Sequence, residues 1–418
     1  MKICIVSMFS PGTSAGGLER YLDTTIKQLL DKKIEVHLVT VAYDKQSVEK
    51  KDGLIVHRLK SMNPNIRNKN KGAQRFFKYV KNLVVKEKID VISAENFYRG
   101  IHPSYAFAIN LVSMETNVPV VLRMHGHTDR VLEQSLVRDL FWDKILSVSK
   151  NVSSFSYNFG TAVDRLSTVY PPVNIESFRP DLGKDWLRSR IDIGMNDLLV
   201  MHASRITGSR KNDYLVLKGV PTLIKAFSIF SQHHKNAKLL ISTAKPPASW
   251  NNYFEKAVKK IYELAELEGI RDKIIVKSFS LDEMPHVYNG ADIFVMASHM
   301  ESFGLVYAEA MACEIPVIGT SVGGIPEIID NGKTGYLIGV EDHVELAKKL
   351  DLLAVNESRR KSMGKKGRKV IEKRFSAKKI LDKYVGILES IVANKMKKTF
   401  VKSKHVKKNN KAMGGLIN

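Results

Sequence analysis

The sequence predicts an α/β protein built from two doubly wound domains that face each other across a cleft. Short apolar runs alternate with amphipathic stretches along most of the 418 residues, which is typical of parallel sheets covered by helices on both faces. The alternation restarts after Tyr170-Pro171-Pro172-Val173, where two prolines interrupt regular structure. Because ligands of such folds bind beyond the carboxyl ends of the strands, we expect the functional site in the cleft.

The first half of the chain contains apolar runs of strand length, separated by segments with helical spacing. The predicted strands are Lys2–Ser7, Val36–Val41, Leu54–Leu59, Val91–Ala94, Val118–Met124, Ile145–Ser149 and Leu166–Tyr170. The predicted helices are Leu18–Asp31, Gln74–Lys86 and Ser104–Glu115.

The second half repeats the pattern after a linker that ends near Pro180. The predicted strands are Leu198–Ala203, Lys238–Thr243, Lys273–Phe279, Ile293–Ala297, Val317–Gly319 and Gly335–Ile338. The predicted helices are Val220–His233, Trp250–Glu268, Gly304–Cys313 and Val344–Leu353.

The domain bounds follow from this series. We assign residues 1–175 to an N-terminal domain and residues 176–375 to a C-terminal domain. Apolar residues recur at helical spacing over Ala377–Val392, which predicts one further helix within residues 376–393. Residues 394–418 are lysine-rich and without periodicity, so we expect a disordered tail.

The chain is strongly basic, with 66 Lys and Arg against 43 Asp and Glu and a formal net charge of +23. The excess is concentrated in two segments: Lys60–Lys88 holds nine basic residues and one acid, and Lys395–Lys411 holds eight lysines and no acid. Such a charge indicates a polyanionic partner, which nucleic acid, an anionic membrane or a phosphorylated substrate would each satisfy.

Composition also bears on the compartment. Cys4 and Cys313 both lie in apolar runs, so we expect buried thiols in a reducing, cytoplasmic environment rather than a disulfide framework. The uncharged stretch Gly100–Met114 is shorter than the ~20 apolar residues that a bilayer crossing needs. The apolar run at the N-terminus ends at Ser10 without a cleavage site, which favours a first strand over a signal peptide.

The most informative segment follows a strongly apolar predicted strand and contains Glu301 and Glu309. It turns through Glu301-Ser302-Phe303-Gly304 and continues as a helix, whose first N–H groups and dipole favour phosphate. Helix rise would separate the two carboxylates by about 12 Å, more than the roughly 5–10 Å of a hydrolytic glycosidase pair. They suit the two ends of a nucleoside-diphosphate sugar. The alternative is a solvated loop acid and an ordinary helix-surface acid.

A glycine-rich turn brings Gly16 and Gly17 to the start of the first predicted helix. Backbone without side chains allows a phosphate to approach closely there, although a tight strand-to-helix connection explains the same glycines. The turn is not the G-x-G-x-x-G fingerprint, which occurs nowhere in the chain. Its absence weakens a dehydrogenase interpretation.

Basic and imidazole side chains complete the candidate site. Arg205 at a strand end and Lys218 before a helix would neutralise a diphosphate leaving group, or they are solvated cations of a basic protein. His125 ends the strand Val118–Met124 and would offer a hydrogen bond in the cleft. With His127 it would form half a metal site, but no Asp-x-Asp occurs in the chain.

Together these segments resemble the large retaining glycosyltransferase family 4 of the glycosyl transferases group 1, which has the GT-B fold of two Rossmann-like domains. The resemblance extends to about Val392. Its matching segments are Gly16–Arg20, His125, Val169–Pro180, Arg205 with Lys218-Gly219-Val220, Ala291–Glu309 and Gly323–Tyr336.

On the sugar side, the resemblance implies that Glu309 binds the ribose hydroxyls of the donor. Glu301 would hold hydroxyls of the transferred sugar, and His125 would hydrogen-bond the same sugar. Four consecutive backbone amides would contact sugar and phosphate, those of Ser302, Phe303, Gly304 and Leu305.

On the phosphate side, the resemblance implies that Arg205 and Lys218 bind the diphosphate, with Gly16 and Gly17 approaching it from the other domain. Phe279, in the segment Lys277-Ser278-Phe279, would meet the nucleobase. The family places its Arg and Lys only a few residues apart. Here a longer segment intervenes, so Lys211 or Arg210 stays an alternative to Lys218.

The resemblance further implies a hexosyltransferase that needs no metal or other cofactor and retains the anomeric configuration. The donor would be a UDP-, GDP- or ADP-sugar held by the C-terminal domain, and the N-terminal domain would receive a lipid-linked or polysaccharide acceptor. The last helix would cross back to the N-terminal domain. A nucleotide-sugar epimerase or hydrolase of the same fold is the alternative. A nucleic-acid-binding protein would leave the paired glutamates unexplained.

The basic segment Lys60–Lys88 suggests where the acceptor is met. Aromatic and aliphatic residues from Phe76 to Val84 interleave there with Arg75, Lys78 and Lys81, which predicts docking on anionic lipid at the inner face of the membrane. A solvated basic helix face is the alternative.

Overall fold

The computed structural model describes residues 1–10, 16–206, 213–244 and 251–413, with side chains up to residue 397. Its strands form two sheets. The N-terminal sheet contains β1 (Lys2–Val6), β2 (Glu35–Val41), β3 (Ser47–Lys51), β4 (Leu54–Leu59), β5 (Val91–Glu95), β6 (Val120–Met124), β7 (Lys144–Ser147) and β8 (Leu166–Thr168). The C-terminal sheet contains β9 (Leu198–Ala203), β10 (Ala237–Ala244), β11 (Ile274–Phe279), β12 (Ile293–Met296), β13 (Val317–Thr320) and β14 (Gly335–Ile338).

Helices cover both sheets. Those before β9 are α1 (Gly17–Asp31), α2 (Lys69–Glu87), α3 (Pro103–Thr116), α4 (Val131–Arg138), α5 (Lys150–Asn158) and α6 (Asp185–Arg190). Those after it are α7 (Tyr214–Leu217), α8 (Val220–His233), α9 (Asn251–Leu267), α10 (Met284–Gly290), α11 (Leu305–Ala312), α12 (His343–Ala354), α13 (Glu357–Arg374) and α14 (Ala377–Met413).

The strand orders confirm the predicted fold class of two doubly wound domains. The N-terminal sheet has the order β3-β4-β2-β1-β5-β6-β7-β8, and the C-terminal sheet has the order β11-β10-β9-β12-β13-β14. Strand order reverses between β1 and β5 in the first sheet and between β9 and β12 in the second. Such reversals open a crevice at the carboxyl ends of the strands, so the segments that follow β1, β9 and β12 lie where a ligand binds.

One strand of the N-terminal sheet was not predicted. β3 pairs antiparallel with β4 at the sheet edge, and its residues are largely exposed. Because the segment Ser-Val-Glu-Lys-Lys buries almost no apolar surface, it lacks the run that marks the other strands. A short, charged edge strand of this kind resists pairing with other chains.

The last helix extends over most of the segment that was predicted to be a disordered tail. α14 continues past Val392 to Met413, and residues 393–413 contain neither proline nor glycine, which leaves nothing to stop the helix. The Lys395 ammonium lies 3.1 Å from an Asp143 carboxylate oxygen. The first part of α14 packs on the N-terminal sheet, where Leu381 and Leu388 share a core with residues of β1 and β2.

The apolar residues of the basic segment face the protein interior. Phe76, Leu83 and Val84 of α2 are buried, and Phe77 and Tyr79 pack against the same core. Val85 is an exception at 65% exposed, so the exposed face of α2 is mostly basic. The aromatic side chains that interleave with the basic residues in the sequence therefore pack into the core instead of adding to an exposed lipid-binding face, because the helix is amphipathic.

Candidate active site

A cavity lies at the carboxyl ends of the two sheets, between the N-terminus of α1 and the segments that follow β9 and β12. The predicted residues that line it come from both halves of the chain: Gly16, Gly17, Arg205, Lys218, Phe279, Glu301, Gly304 and Leu305. Four other predicted residues lie beside the cavity rather than on its wall, namely His125, Ser302, Phe303 and Glu309.

The first turn of α11 forms one wall. Gly304 precedes the helix with a φ of 103°, a left-handed conformation that glycine adopts without strain. Leu305 and Val306, in the first turn of the helix, line the cavity. Amides in the first turn of a helix have no partner within that helix, and its dipole favours negative charge. This wall therefore suits a phosphate group.

The glycines after β13 support the turn that carries Glu301. Gly323 has a φ of 55°, and a Cβ there would collide with the carbonyl oxygen of Glu301. The Gly324 amide donates a hydrogen bond to that same oxygen over 3.0 Å. Backbone packed on backbone thus fixes the position of Glu301.

Two cations face this wall. Arg205 follows β9, and Lys218 follows α7; both line the cavity. The Lys218 ammonium lies 2.8 Å from Glu301 Oε2, so the two charges neutralise each other in the unliganded site. Gly219 packs so closely on the Ala297 backbone that a Cβ would collide with it. The alternatives Lys211 and Arg210 lie outside the described residues.

Glu309 is buried, with a side chain 4% exposed, and is therefore not a helix-surface acid. The Arg20 guanidinium of α1 forms an ion pair with its Oε2, and the Tyr288 hydroxyl donates to the same oxygen over 2.9 Å. Burial raises the pKa of Tyr288 well above its ordinary value, and the neighbouring carboxylate raises it further. The hydroxyl therefore stays protonated and donates.

His125 is held at the end of β6 by a second buried carboxylate. Its Nε2 lies 2.7 Å from Glu95 Oε2, and its ring makes an edge contact with Tyr21 at 4.5 Å between centroids. Burial lowers the pKa of His125, and the Glu95 hydrogen bond only partly offsets this. The imidazole is neutral at pH 7, donates from Nε2 to Glu95 and keeps Nδ1 as an acceptor.

The hydrogen bonds that orient His125 extend to the last helix. The Ser93 hydroxyl donates to Glu95 Oε1 over 2.8 Å, and the buried Tyr384 hydroxyl of α14 donates to Ser93 over 2.9 Å. α14 thus helps to orient a side chain beside the cleft through two intervening hydrogen bonds.

Ser302 and Phe303 belong to the turn before α11, but the Phe303 side chain points away from the cavity. It is buried and packs on Phe375 and Tyr170 at 5.5 and 5.7 Å between ring centroids. A Cβ at Gly126 would lie 3.1 Å from the Ser302 hydroxyl, which places Ser302 next to the His125 loop of the opposite domain.

Comparison with known proteins decides the family. The model of the glycosyl transferases group 1 matches residues 213–370, and the model of glycosyltransferase family 4 matches residues 15–177. The chain belongs to the group 1 glycosyltransferases. An uncharacterized glycosyltransferase of Methanocaldococcus jannaschii is 27% identical over 394 residues, which cover 91% of this chain and 95% of that protein.

Solved structures show the same GT-B fold. A glycosyltransferase from Rickettsia africae has a TM-score of 0.76 at 20% identity over 94% of this chain and 99% of that one. Anabaena Alr3699/HepE in complex with UDP-glucose has a TM-score of 0.73 at 17% identity over 93% of this chain and 100% of that one. At these sequence identities, the structural similarity supports a shared fold and nothing more specific.

Sequence reasoning assigned no role to several residues that shape the site of this glycosyltransferase. Arg20, Glu95 and Tyr288 contact predicted residues directly. Arg20 lies inside a segment that matches the family, and Glu95 directly follows the predicted strand Val91–Ala94. The sequence therefore indicated where both residues lie, but it did not show which side chains they contact. Tyr288 carries no signal, because it lies within a helix that was not predicted.

Two further findings concern a possible metal site and the search for helices that could cross a membrane. The group of His and carboxylate side chains that could hold an ion in the described part of the chain is Glu35 and His37 of β2 with Glu87 of α2, none of which lines the cavity. In the described ranges, no helix combines the length and apolar character that crossing a membrane requires.

Proposed function

We propose that this glycosyltransferase moves a hexose from a UDP-sugar to a glycan or lipid-linked acceptor. The observation that supports it is the cavity wall, where Arg205, Lys218 and the first turn of α11 converge. Two cations and free amides match a diphosphate. Uracil as the base is favoured because Alr3699/HepE, which shares the fold, was solved with UDP-glucose.

Leaving-group stabilisation would supply most of the catalysis. When the bond between the anomeric carbon and the diphosphate oxygen breaks, its electron pair leaves on the diphosphate, and Arg205 and Lys218 would stabilise that charge. Lys218 is held by Glu301 in the unliganded site. Donor binding would therefore exchange this ion pair for a contact between Lys218 and phosphate, which frees Glu301 for sugar hydroxyls.

We propose retention of configuration without a protein nucleophile. Glu301 is the one carboxylate among the described residues that line the cavity, and it is paired with Lys218. The acceptor hydroxyl would then attack the anomeric carbon from the face that the diphosphate leaves and pass its proton to the departing phosphate oxygen. No step in this scheme requires a metal.

Nucleoside-diphosphate release from UDP-, GDP- and ADP-sugars, measured with and without glycan acceptors, tests the function. We expect release that depends on the acceptor and an anomeric proton signal of the product that matches the donor. Release at the same rate without acceptor would identify a hydrolase or epimerase instead. A Glu309→Ala variant as fast as the wild type would overturn the donor site.

We also propose that a lipid-linked acceptor is met at an anionic membrane surface. α3, which packs beside α2, exposes an apolar stripe at helical spacing: Phe107 is 51%, Leu111 is 47% and Met114 is 71% exposed. Beside it lies the exposed basic face of α2. An apolar stripe flanked by cations suits the headgroup region of an anionic bilayer.

Co-sedimentation with vesicles tests this surface. The wild type should bind vesicles that contain phosphatidylglycerol more strongly than pure phosphatidylcholine vesicles, with affinity falling as salt rises. Met114→Glu should weaken binding, whereas Leu267→Glu, at another exposed apolar residue, should not. Equal binding to both vesicle types would contradict the proposal.

A further inference from the structure

One ion pair joins the two domains at the edge of the cavity. Arg20 belongs to α1 of the N-terminal domain, and Glu309 belongs to α11 of the C-terminal domain. Their side chains are 17% and 4% exposed. Arg20 also lines the cavity, so this guanidinium contacts both the carboxylate and the space where the donor would lie.

The two oxygens of Glu309 have different surroundings. Oε2 accepts hydrogen bonds from the Arg20 guanidinium and from the Tyr288 hydroxyl. No described residue donates to Oε1. Two donors on one oxygen fix the rotation of the carboxylate and leave its other oxygen with its full acceptor capacity. A ribose diol is a pair of hydroxyl donors, which matches an oriented acceptor of this kind.

Arg20 stays charged in this position. Burial alone would lower the pKa of its guanidinium, but Glu309 and Tyr288 outweigh that effect and raise it. A buried ion pair is weak evidence for stability, because desolvation of the two charges offsets much of their attraction. This ion pair instead orients Glu309, since a planar guanidinium restricts the orientation of its partner more than a lysine does.

We propose that Arg20 is a positioning residue for glycosyl transfer: it reaches across the cleft and orients Glu309 so that Oε1 receives the donor ribose. This inference rests on the proposed function, in which Glu309 binds that ribose. Since Arg20 and Glu309 belong to different domains, the ribose would be gripped firmly only when the two domains are in the arrangement seen here. Tyr288 supports the same oxygen from within the C-terminal domain.

Ribose discrimination is the readout that a purely structural role would not change. Titration calorimetry first identifies which of UDP, GDP and ADP the wild type binds most tightly. The dissociation constant of its 2′-deoxy counterpart is then divided by that of the ribonucleotide. We expect a ratio of about 10 or more for the wild type, since a buried carboxylate that loses a hydroxyl donor forfeits a charge-assisted hydrogen bond.

Four variants test which side chains produce this discrimination ratio. Arg20→Gln should bring it close to 1, and Arg20→Lys should give an intermediate value because one charged donor remains. Glu309→Ala should also bring it close to 1. Lys27→Gln removes a cation from the exposed face of the same helix and should leave the ratio at the wild-type value. Thermal unfolding of each variant shows whether it is folded.

The outcomes separate the two proposals. If Glu309→Ala loses discrimination and folded Arg20→Gln and Arg20→Lys both keep it, the positioning role of Arg20 is overturned while the donor site stands. If Glu309→Ala keeps discrimination, the ribose contact itself is wrong. If Arg20→Gln does not fold, Arg20→Lys decides, because a wild-type ratio in that variant would overturn the positioning role.

Discussion

At the residue scale, the unliganded cavity holds its charges in pairs. Lys218 contacts Glu301 and Arg20 contacts Glu309, so each carboxylate expected to bind donor hydroxyls already has a cationic partner. A diphosphate carries enough negative charge to take Lys218 from Glu301, because phosphate oxygens are strong acceptors. Arg205 adds a third cation to these two ion pairs, so the site is net positive before the donor arrives, and Lys218 would exchange partners when it binds.

Mutation distinguishes Lys218 from Lys211 as the second ligand of the phosphate. Because Lys218 lines the cavity, Lys218→Ala should lower kcat by roughly 10²-fold, the loss typical of one charge-stabilising group, while unfolding stays near that of the wild type. Lys211→Ala serves as the matched control and should retain activity. Steady-state nucleoside-diphosphate release measures both, and the reverse pattern would assign the phosphate to Lys211.

His202 makes the stability of the protein depend on pH. Burial lowers the pKa of its imidazole to about 3, whereas an unfolded histidine titrates near 6.5. Below about pH 6.5 the unfolded chain therefore binds a proton that the folded chain does not. The free energy of unfolding should fall with decreasing pH by up to roughly 1.4 kcal/mol per unit from this group.

Urea denaturation at pH 7.5, 6.5 and 5.5 measures this dependence. Other titrating groups contribute as well, among them His57, whose pKa burial lowers to about 4. The comparison with His202→Gln therefore isolates the single group. We expect a shallower fall in the variant, and identical slopes in the two proteins would contradict the buried neutral imidazole.

Eight of the twelve predicted site residues line the cavity, because strand ends and helix starts can be recognised in the sequence. Arg205, Glu301 and Gly16 were placed by the elements beside them, and all three line the cavity. The burial of Glu309 could not be foreseen, since it depends on Arg20, a partner far away in sequence. Nor does any local pattern show that the Phe303 side chain packs against the linker.

At the element scale, the strands were predicted best because parallel strands buried on both faces are continuous apolar runs. β4, β9 and β14 agree with their predicted bounds, whereas β3 was missed because it is an exposed, charged edge. The tail was predicted to be disordered for a related reason. Lysines carry no apolar periodicity, yet they are good helix formers when no glycine or proline intervenes.

The loop after β13 should control the turn before α11. Gly323→Ala would force a Cβ into the Glu301 carbonyl oxygen, so we expect donor binding to weaken by at least 10-fold and the free energy of unfolding to fall by roughly 1–3 kcal/mol. Nucleotide titration and urea denaturation measure these effects.

Gly332 offers the matched control for that substitution. It also has a positive φ, 77°, but nothing lies within 4 Å of its Cβ position. Gly332→Ala should therefore cost only the strain of the left-handed conformation, about 1 kcal/mol, with nucleotide affinity unchanged. Equal loss of affinity in both variants would show that the Gly323 contact does not position Glu301.

At the scale of the whole molecule, several contacts hold the two domains together around the cleft. The Glu327 carboxylate accepts from the backbone amides of Lys150 and Asn151, at 2.9 and 2.8 Å, at the N-terminus of α5 in the other domain. α14 links the end of the C-terminal domain to the N-terminal sheet and, through Tyr384, to the residues around His125. These contacts link the arrangement of the two domains to the geometry of the site.

The net charge of +23 is mostly unrelated to the cavity. Arg205 and Lys218 account for two of the basic residues, and the exposed face of α2 and the end of α14 carry many others. The sign of the charge could not separate nucleic acid from membrane or phosphate. The proposal of a nucleotide-sugar donor rests instead on Arg205, Lys218, Glu301 and the first turn of α11, which line one cavity.

The structure of the protein crystallised with UDP tests this central claim most directly. We predict a diphosphate in contact with Arg205, Lys218 and the first turn of α11, Lys218 released from Glu301, and ribose hydroxyls on Oε1 of Glu309. A diphosphate bound elsewhere at saturating nucleotide, with the ion pair between Lys218 and Glu301 intact, would contradict it.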